Sequence, residues 1–267
     1  MRNIKFIIAY DGTDFCGWQA QPGQPTVQGA LTDVLEKLIQ SRPALHAAGR
    51  TDAGVHAAGQ VVNFKTESAM SADEFQRACN ALLPQSIRVN AAEEVAVDFH
   101  SRWDALAKTY RYRIFRGRVV PPFLWRYVQH DPSEMNFEAM AEAAGHFAGE
   151  HDFTSFAAST GSEDDDRERT TVRMIYSSEL LRGSRADCQQ GADAEEWIYA
   201  VRGRSFMRNM VRKMVGTLVE IGRGKLAPDA VLELFALRDR AKSGVTMPPQ
   251  GLCLERVEYP SIAKVNI

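Results

Sequence analysis

Apolar and polar positions along the chain alternate between two rhythms. IKFIIAY (4–10) is an apolar-rich run that stops at the turn pair Asp11-Gly12, the pattern of a buried strand. TVQGALTDVLEKLI (26–39) then sets Val27, Ala30, Leu31, Val34, Leu35, Leu38 and Ile39 at helical spacing, with Thr26 placed to cap them. QVVNFK (60–65) predicts a short strand. Ser71 and Glu74 predict a capping box opening a helix that runs to Leu83 and stops before Pro84. SIRVNAAEEV (86–95) predicts another strand. KTYRYRIFR (108–116) alternates as a half-exposed strand does. NFEAMAEAAGHF (136–147) reads as a helix capped by Asn136, and VRMIYSSEL (172–180) and EEWIYAVRG (195–203) as strands. The strongest helical pattern is FMRNMVRKMVGTLVEIG (206–222), whose stripe includes Phe206, Met210, Val211, Met214 and Leu218. A helix over PDAVLELFAL (228–237) and a strand over GLCLERVEY (251–259) complete the set.

Strands and helices neither alternate strictly nor segregate. That predicts an α+β fold, with helices covering one face of mostly antiparallel sheets. The length of 267 residues suits one large domain or two smaller ones, and a soft boundary falls near Ala105, giving segments 1–105 and 106–267. Exposed loops are expected at STGSEDDDRE (159–168) and RGSRADCQQGADAEE (182–196).

Composition narrows the chemistry mostly by exclusion. Apolar residues at 45% and charged residues at 25% are ordinary for a globular chain. No run approaches the ~20 apolar residues that span a bilayer. The first residues read as a strand rather than a signal peptide, so a cytoplasmic protein is expected. Cys16, Cys79, Cys188 and Cys253 are scattered, with no C-x-x-C pair, and the histidines form no H-E-x-x-H, so no metal is expected. IGRGKLAP lacks the Walker spacing, and neither a dinucleotide fingerprint nor a nucleophile elbow is present. Net charge is only −2, yet basic residues gather in two blocks, 101–126 and 201–225. These blocks suggest a positive surface for a polyanion; two solvated faces that never meet would produce the same count.

What remains is a set of side chains suited to a cofactor-free site. GRTDAGVHA (49–57) places Asp52 on a glycine-flanked loop between Arg50 and His56, running into a strand. Such a loop can present a carboxylate into a cleft, or can simply turn the chain through an Asx-turn. Arg208 and Arg212, four apart on the long helix, border its apolar stripe; either could keep a carboxylate ionised or reach out to solvent. Tyr110 and Tyr112 share a strand face with Lys108, beside Arg111 and Arg113. Rings interleaved with cations suit unstacked bases and phosphates, and equally suit one core face backed by a solvated one.

Taken together, YDGTDFCGWQAQPGQPTVQGAL (10–31), GRTDAGVHAAGQVVNF (49–64), FHSRWDALAKTYRYRI (99–114), HDFTSF (151–156), FMRNMVRKMVGTLVEIGRG (206–224) and PPQGLCLERVEYP (248–260) resemble the tRNA pseudouridine synthase A family over almost the whole chain. The resemblance implies isomerisation of uridine to pseudouridine at positions 38, 39 and 40 of the tRNA anticodon stem-loop. It further implies no metal or cofactor, a homodimer, and two α+β domains joined across a central catalytic cleft. Asp52 matches the catalytic aspartate, and Tyr110 the tyrosine that stacks on the target base and is a candidate to take the C5 proton. Arg212 matches the arginine paired with the aspartate, Leu252 an apolar wall of the uracil pocket, and Arg50 an RNA contact that helps flip the base. Lys108 and Arg208 are expected to bind tRNA. A non-catalytic RNA-binding module and a metal-free glycosidase using Asp52 are the competing readings; the second would normally need another nearby carboxylate.

Overall fold

A computed structural model describes residues 1–158, 170–183 and 195–260. The acidic stretch 162–168 and Cys188 lie outside the described residues. The chain forms an α+β protein of two compact units: Met1–Lys108 with Leu254–Ile267, and Thr109–Cys253.

The first unit holds β1 (Arg2–Tyr10), α1 (Val27–Ile39), β2 (His46–Ala47), β3 (His56–Thr66), α2 (Ala72–Leu82), β4 (Ile87–Val95) and most of β10 (Leu252–Glu258). Its strand order is β4-β1-β3-β10, with β2 also on β3; β1 runs antiparallel to both β3 and β4. The period-2 rhythm of β1 buries Ile4, Phe6, Ile8 and Tyr10. Phe6 and Phe64 meet edge to face at 5.2 Å, and Phe64 and Phe75 at 5.6 Å, so α2 is locked onto the sheet by rings. Thr26 caps α1 by accepting from the Gly29 N–H at 3.2 Å. Ser71 and Glu74 form the expected capping box on α2.

In the second unit come β5 (Ala107–Phe115), which begins two residues before it, then β6 (Gln129–His130), α3 (Phe137–Gly145), β7 (Gly149–Asp152), β8 (Val172–Arg182), β9 (Glu196–Gly203), α4 (Met210–Gly222) and α5 (Ala230–Leu237). The order is β5-β9-β8-β7, with β6 added in parallel to β5. Phe147, Phe153 and Phe156 are fully buried around Phe235, 5.0–6.2 Å from its ring.

Several expectations change. The strand from His56 is eleven residues long and begins inside the GRTDAGVHA stretch, not after it. β5 is buried along most of its length rather than half-exposed; only Arg111 is fully outward. The strong helix starts at Met210, because Asn209 adopts a left-handed conformation (φ 59°) that a continuing helix cannot contain. Arg208 therefore lies in a turn before α4 and does not share a helical flank with Arg212. β2, β6 and β7 were too short to read from periodicity. Among the described residues no helix is long and apolar enough to cross a membrane.

Candidate active site

Asp52 sits on a half-buried turn, with Thr51 buried before it and Ala53 exposed after it. The turn closes through the Val55 N–H donating to the Asp52 carbonyl at 3.1 Å. Its rigidity comes from elsewhere in the first unit, from residues 10–18. The Tyr10 and Thr51 hydroxyls are hydrogen-bonded at 2.8 Å. The Trp18 N–H donates to the Thr51 carbonyl at 3.1 Å, and the Gly54 N–H to the Phe15 carbonyl at 3.2 Å. The buried His56 faces the same segment, its Nδ1 3.1 Å from the Gly12 nitrogen and 3.2 Å from the Asp11 carboxylate.

Two glycines make this approach possible. A Cβ on Gly12 would fall 2.0 Å from the Val55 carbonyl oxygen. At Gly17, φ is +90° and a Cβ would lie 2.8 Å from the Thr51 oxygen. The Asp-Gly pair read as punctuation after β1 is thus a socket for the carboxylate loop. Asp11 makes the Asx-turn, accepting from the Thr13 N–H at 3.0 Å and hydroxyl at 2.6 Å. Tyr10, Trp18, Thr51 and His56 are the bracing residues that motif reading passed over. The only signal for them was the glycine spacing in 10–18.

The opposite end of the loop meets a cation. Lys108 is only 9% exposed, and its Nζ lies 3.6 Å from where a Cβ on Gly49 would stand. The Gly49 carbonyl accepts from Gln60 Nε2 at 2.8 Å. Lys108 therefore points into the protein beside the carboxylate loop, whereas Arg50 is exposed.

In the second unit, Tyr112 and Arg212 are both tied to the segment that leads into Leu252, while Tyr110 packs against Phe206. Tyr110 is 7% exposed and meets Phe206 edge to face at 5.1 Å. Tyr112 is fully buried and donates its hydroxyl to the Pro248 carbonyl at 2.9 Å. Burial pushes this phenol's pKa well above its ordinary value, against a smaller opposing pull from the Arg212 charge. Arg212 is held at two points: Nε donates to the Met247 carbonyl at 2.6 Å and Nη1 to Asn209 Oδ1 at 2.8 Å. The left-handed turn at Asn209 is what aims that amide back along the helix. Residues 247–251, fastened by Tyr112 and Arg212, lead into the buried Leu252.

The two basic blocks do meet, but at an acid. Arg116 from the first lies 3.8 Å from Asp131 Oδ1, and Arg223 from the second 2.8 Å from Oδ2. Arg113 pairs with the buried Glu196, and Lys225 with Glu220 at 2.8 Å. Lys213 is hydrogen-bonded to the Arg240 carbonyl and the Ser243 hydroxyl, both at 2.9 Å. Much of the basic character is committed to pairs within the unit, at the surface as well as in the interior, while Arg118, Arg204 and Arg208 are exposed.

Comparison with known proteins identifies the family. The family described as tRNA pseudouridine synthase matches residues 6–104 and 143–260. A tRNA pseudouridine synthase A from Solibacter usitatus is 44% identical over 259 residues, 97% of this chain and all of the relative. Its namesake from Geobacter sp. strain M21 is also 44% identical, over 261 residues with the same coverage.

Proposed function

The chain belongs to the tRNA pseudouridine synthase family and is an isomerase that makes pseudouridine; from that premise we propose that Asp52 is its catalytic carboxylate and that its targets are uridines 38, 39 and 40 of the tRNA anticodon stem-loop. The observation that carries the assignment is the bracing of the Asp52 turn. Two glycines, Tyr10, Trp18 and His56 fix a short polar loop that has no need of such support if it only reverses the chain. A carboxylate held this way is preorganised for the reacting centre.

The reaction balances without an outside reagent. The N1–C1′ bond breaks, a C5–C1′ bond forms, the C5 proton leaves and N1 gains one. Oxidation state is unchanged, so the proposed chemistry calls for no redox cofactor, and no metal is proposed. Attack at C1′, addition at C6 and abstraction of a ribose proton all require Asp52 to be ionised. Arg212 is assigned as the cation that favours that state, which its fixed guanidinium suits. Tyr110 is assigned to stack on the extruded base and to accept the C5 proton. Extrusion costs a few kcal/mol, and stacking returns on the order of 1–3 kcal/mol. Leu252 is assigned to the apolar wall that keeps water from intercepting the separated base. Arg50 and Arg208, both exposed, are assigned to the RNA backbone. The protein is proposed to act in the cytoplasm as a homodimer.

The deciding experiment maps pseudouridine in tRNA after incubation with wild type and with Asp52→Asn, alongside tritium release from C5-labelled uridine. Wild type should modify positions 38–40; Asp52→Asn should bind tRNA equally and release nothing. Robust turnover by that variant would remove Asp52 from the chemistry. Free uracil as product would mark a nucleosidase instead. Tyr110→Phe should keep tRNA affinity and lose at least about a hundredfold in rate, the scale of a general acid–base contribution.

A further inference from the structure

Between β5 and β6 the chain builds a protrusion whose composition is out of keeping with the rest of the molecule. Residues 116–130, RGRVVPPFLWRYVQH, contain three arginines and no Asp or Glu, in a chain whose net charge is −2. Phe123 is 73% exposed, Val119 71% and Trp125 53%. Exposed rings on a floppy loop would collapse onto nearby surface, but this loop has its own support. Phe115 and Val128 are buried beneath it, with Val120 and Leu124 packed on them. The Leu124 N–H donates to the Pro121 carbonyl at 3.0 Å and the Tyr127 N–H to the Leu124 carbonyl at 2.7 Å. At the base, β6 pairs in parallel with β5, and His130 Nε2 is bonded to the Gly117 carbonyl at 2.8 Å. The outward rings are thus held outward, and exposed apolar side chains supported in this way suit a binding surface.

We propose that the 117–127 protrusion is a docking platform for the tRNA substrate, on which unpaired bases stack against Phe123 and Trp125. The inference rests on tRNA being the substrate. Charge complementarity selects the occupant. The Arg126 guanidinium lies 5.3 Å from the Trp125 ring centre, and Arg118 is exposed on the same loop. Aromatic faces layered with guanidinium groups are the combination that holds single-stranded nucleic acid, with rings for bases and cations for phosphates. No carboxylate lies within 116–130 to repel a phosphate backbone approaching Arg118. Asp131, just beyond, is occupied by Arg116 and Arg223.

The test compares wild type with Phe123→Ala/Trp125→Ala, using unmodified full-length tRNA in filter binding, steady-state pseudouridine formation and sedimentation velocity. Kd and KM should each rise about tenfold or more, while kcat stays within about twofold. The sedimentation profile and thermal unfolding should match wild type, since both side chains are outside the core. Phe123→Tyr/Trp125→Tyr, which keeps the ring faces, should bind as wild type does. Unchanged Kd in the alanine variant would overturn the proposal. So would a shift to a smaller sedimenting species, which would assign the loop to a second copy. If wild type bound tRNA but made no pseudouridine, the catalytic assignment would fail while the binding contrast still judged this platform.

Discussion

Lys108 is a cation whose charge is turned inward. Strand periodicity put it with Tyr110 and Tyr112 as a phosphate contact, but it is 9% exposed and its ammonium lies against Gly49. A buried ammonium must be answered by nearby acceptors, so removing its charge should disturb the loop it borders rather than the RNA surface. Lys108→Met keeps the aliphatic stem and deletes the charge. The expected outcome is a tRNA Kd close to wild type and a single-turnover rate lowered by about tenfold or more, since small displacements of a catalytic group are costly. Weaker binding with an unchanged rate on bound tRNA would return Lys108 to the role its position in β5 first suggested. Periodicity could say which face of the strand the residue occupies. It could not say that the face is covered, because the covering loop lies some sixty residues away in sequence.

At the scale of elements, local signals were faithful and junctions were not. Thr26, Ser71 with Glu74, and Asn136 all cap the helices they were expected to cap, because a cap is a contact across three residues and is written locally. The start of α4 was misread because apolar spacing continues through Phe206, while the backbone breaks at Asn209. That break has a use: the left-handed residue both ends the approach segment and supplies the amide that holds Arg212. The two roles separate by mutation. Asn209→Gly keeps the backbone conformation and loses the amide; Asn209→Ala loses both. In urea unfolding the glycine variant should stay near wild type and the alanine variant should lose about 1–2 kcal/mol, the cost of a left-handed L-residue. Both should lower kcat, by about tenfold for a misdirected guanidinium. Equal activity of the glycine variant and wild type would show that the amide is only a bystander.

For the molecule as a whole, the family was legible in the motifs and the longer elements in the periodicity, but the use of charge was not. Counting basic residues in 101–126 and 201–225 left one positive surface and two separate solvated faces equally open. The fold instead sets Arg116 and Arg223 on Asp131, a carboxylate whose side chain is only 8% exposed. The Arg223–Asp131 pair joins residues 92 positions apart and leaves no local pattern. Nor did any local pattern show that β10 returns to the first unit. Basic residues of the same block should therefore fail in different ways when changed. Arg208 is exposed in the turn before α4, so Arg208→Glu should weaken tRNA binding, reduce the slope of log Kd against log salt by about 1, and leave unfolding unchanged. Arg223→Gln leaves the Asp131 carboxylate with the Ser133 N–H and hydroxyl, and with the Arg116 cation at 3.8 Å, beyond a good hydrogen bond. Because Arg223 is itself 36% exposed, the loss should be about 1–2 kcal/mol in urea unfolding rather than the larger cost of a fully buried pair. Its tRNA affinity and salt slope should match wild type. If Arg223→Gln instead behaved as Arg208→Glu does, the Asp131 pairing would be incidental and the second basic block would act on RNA as a continuous face.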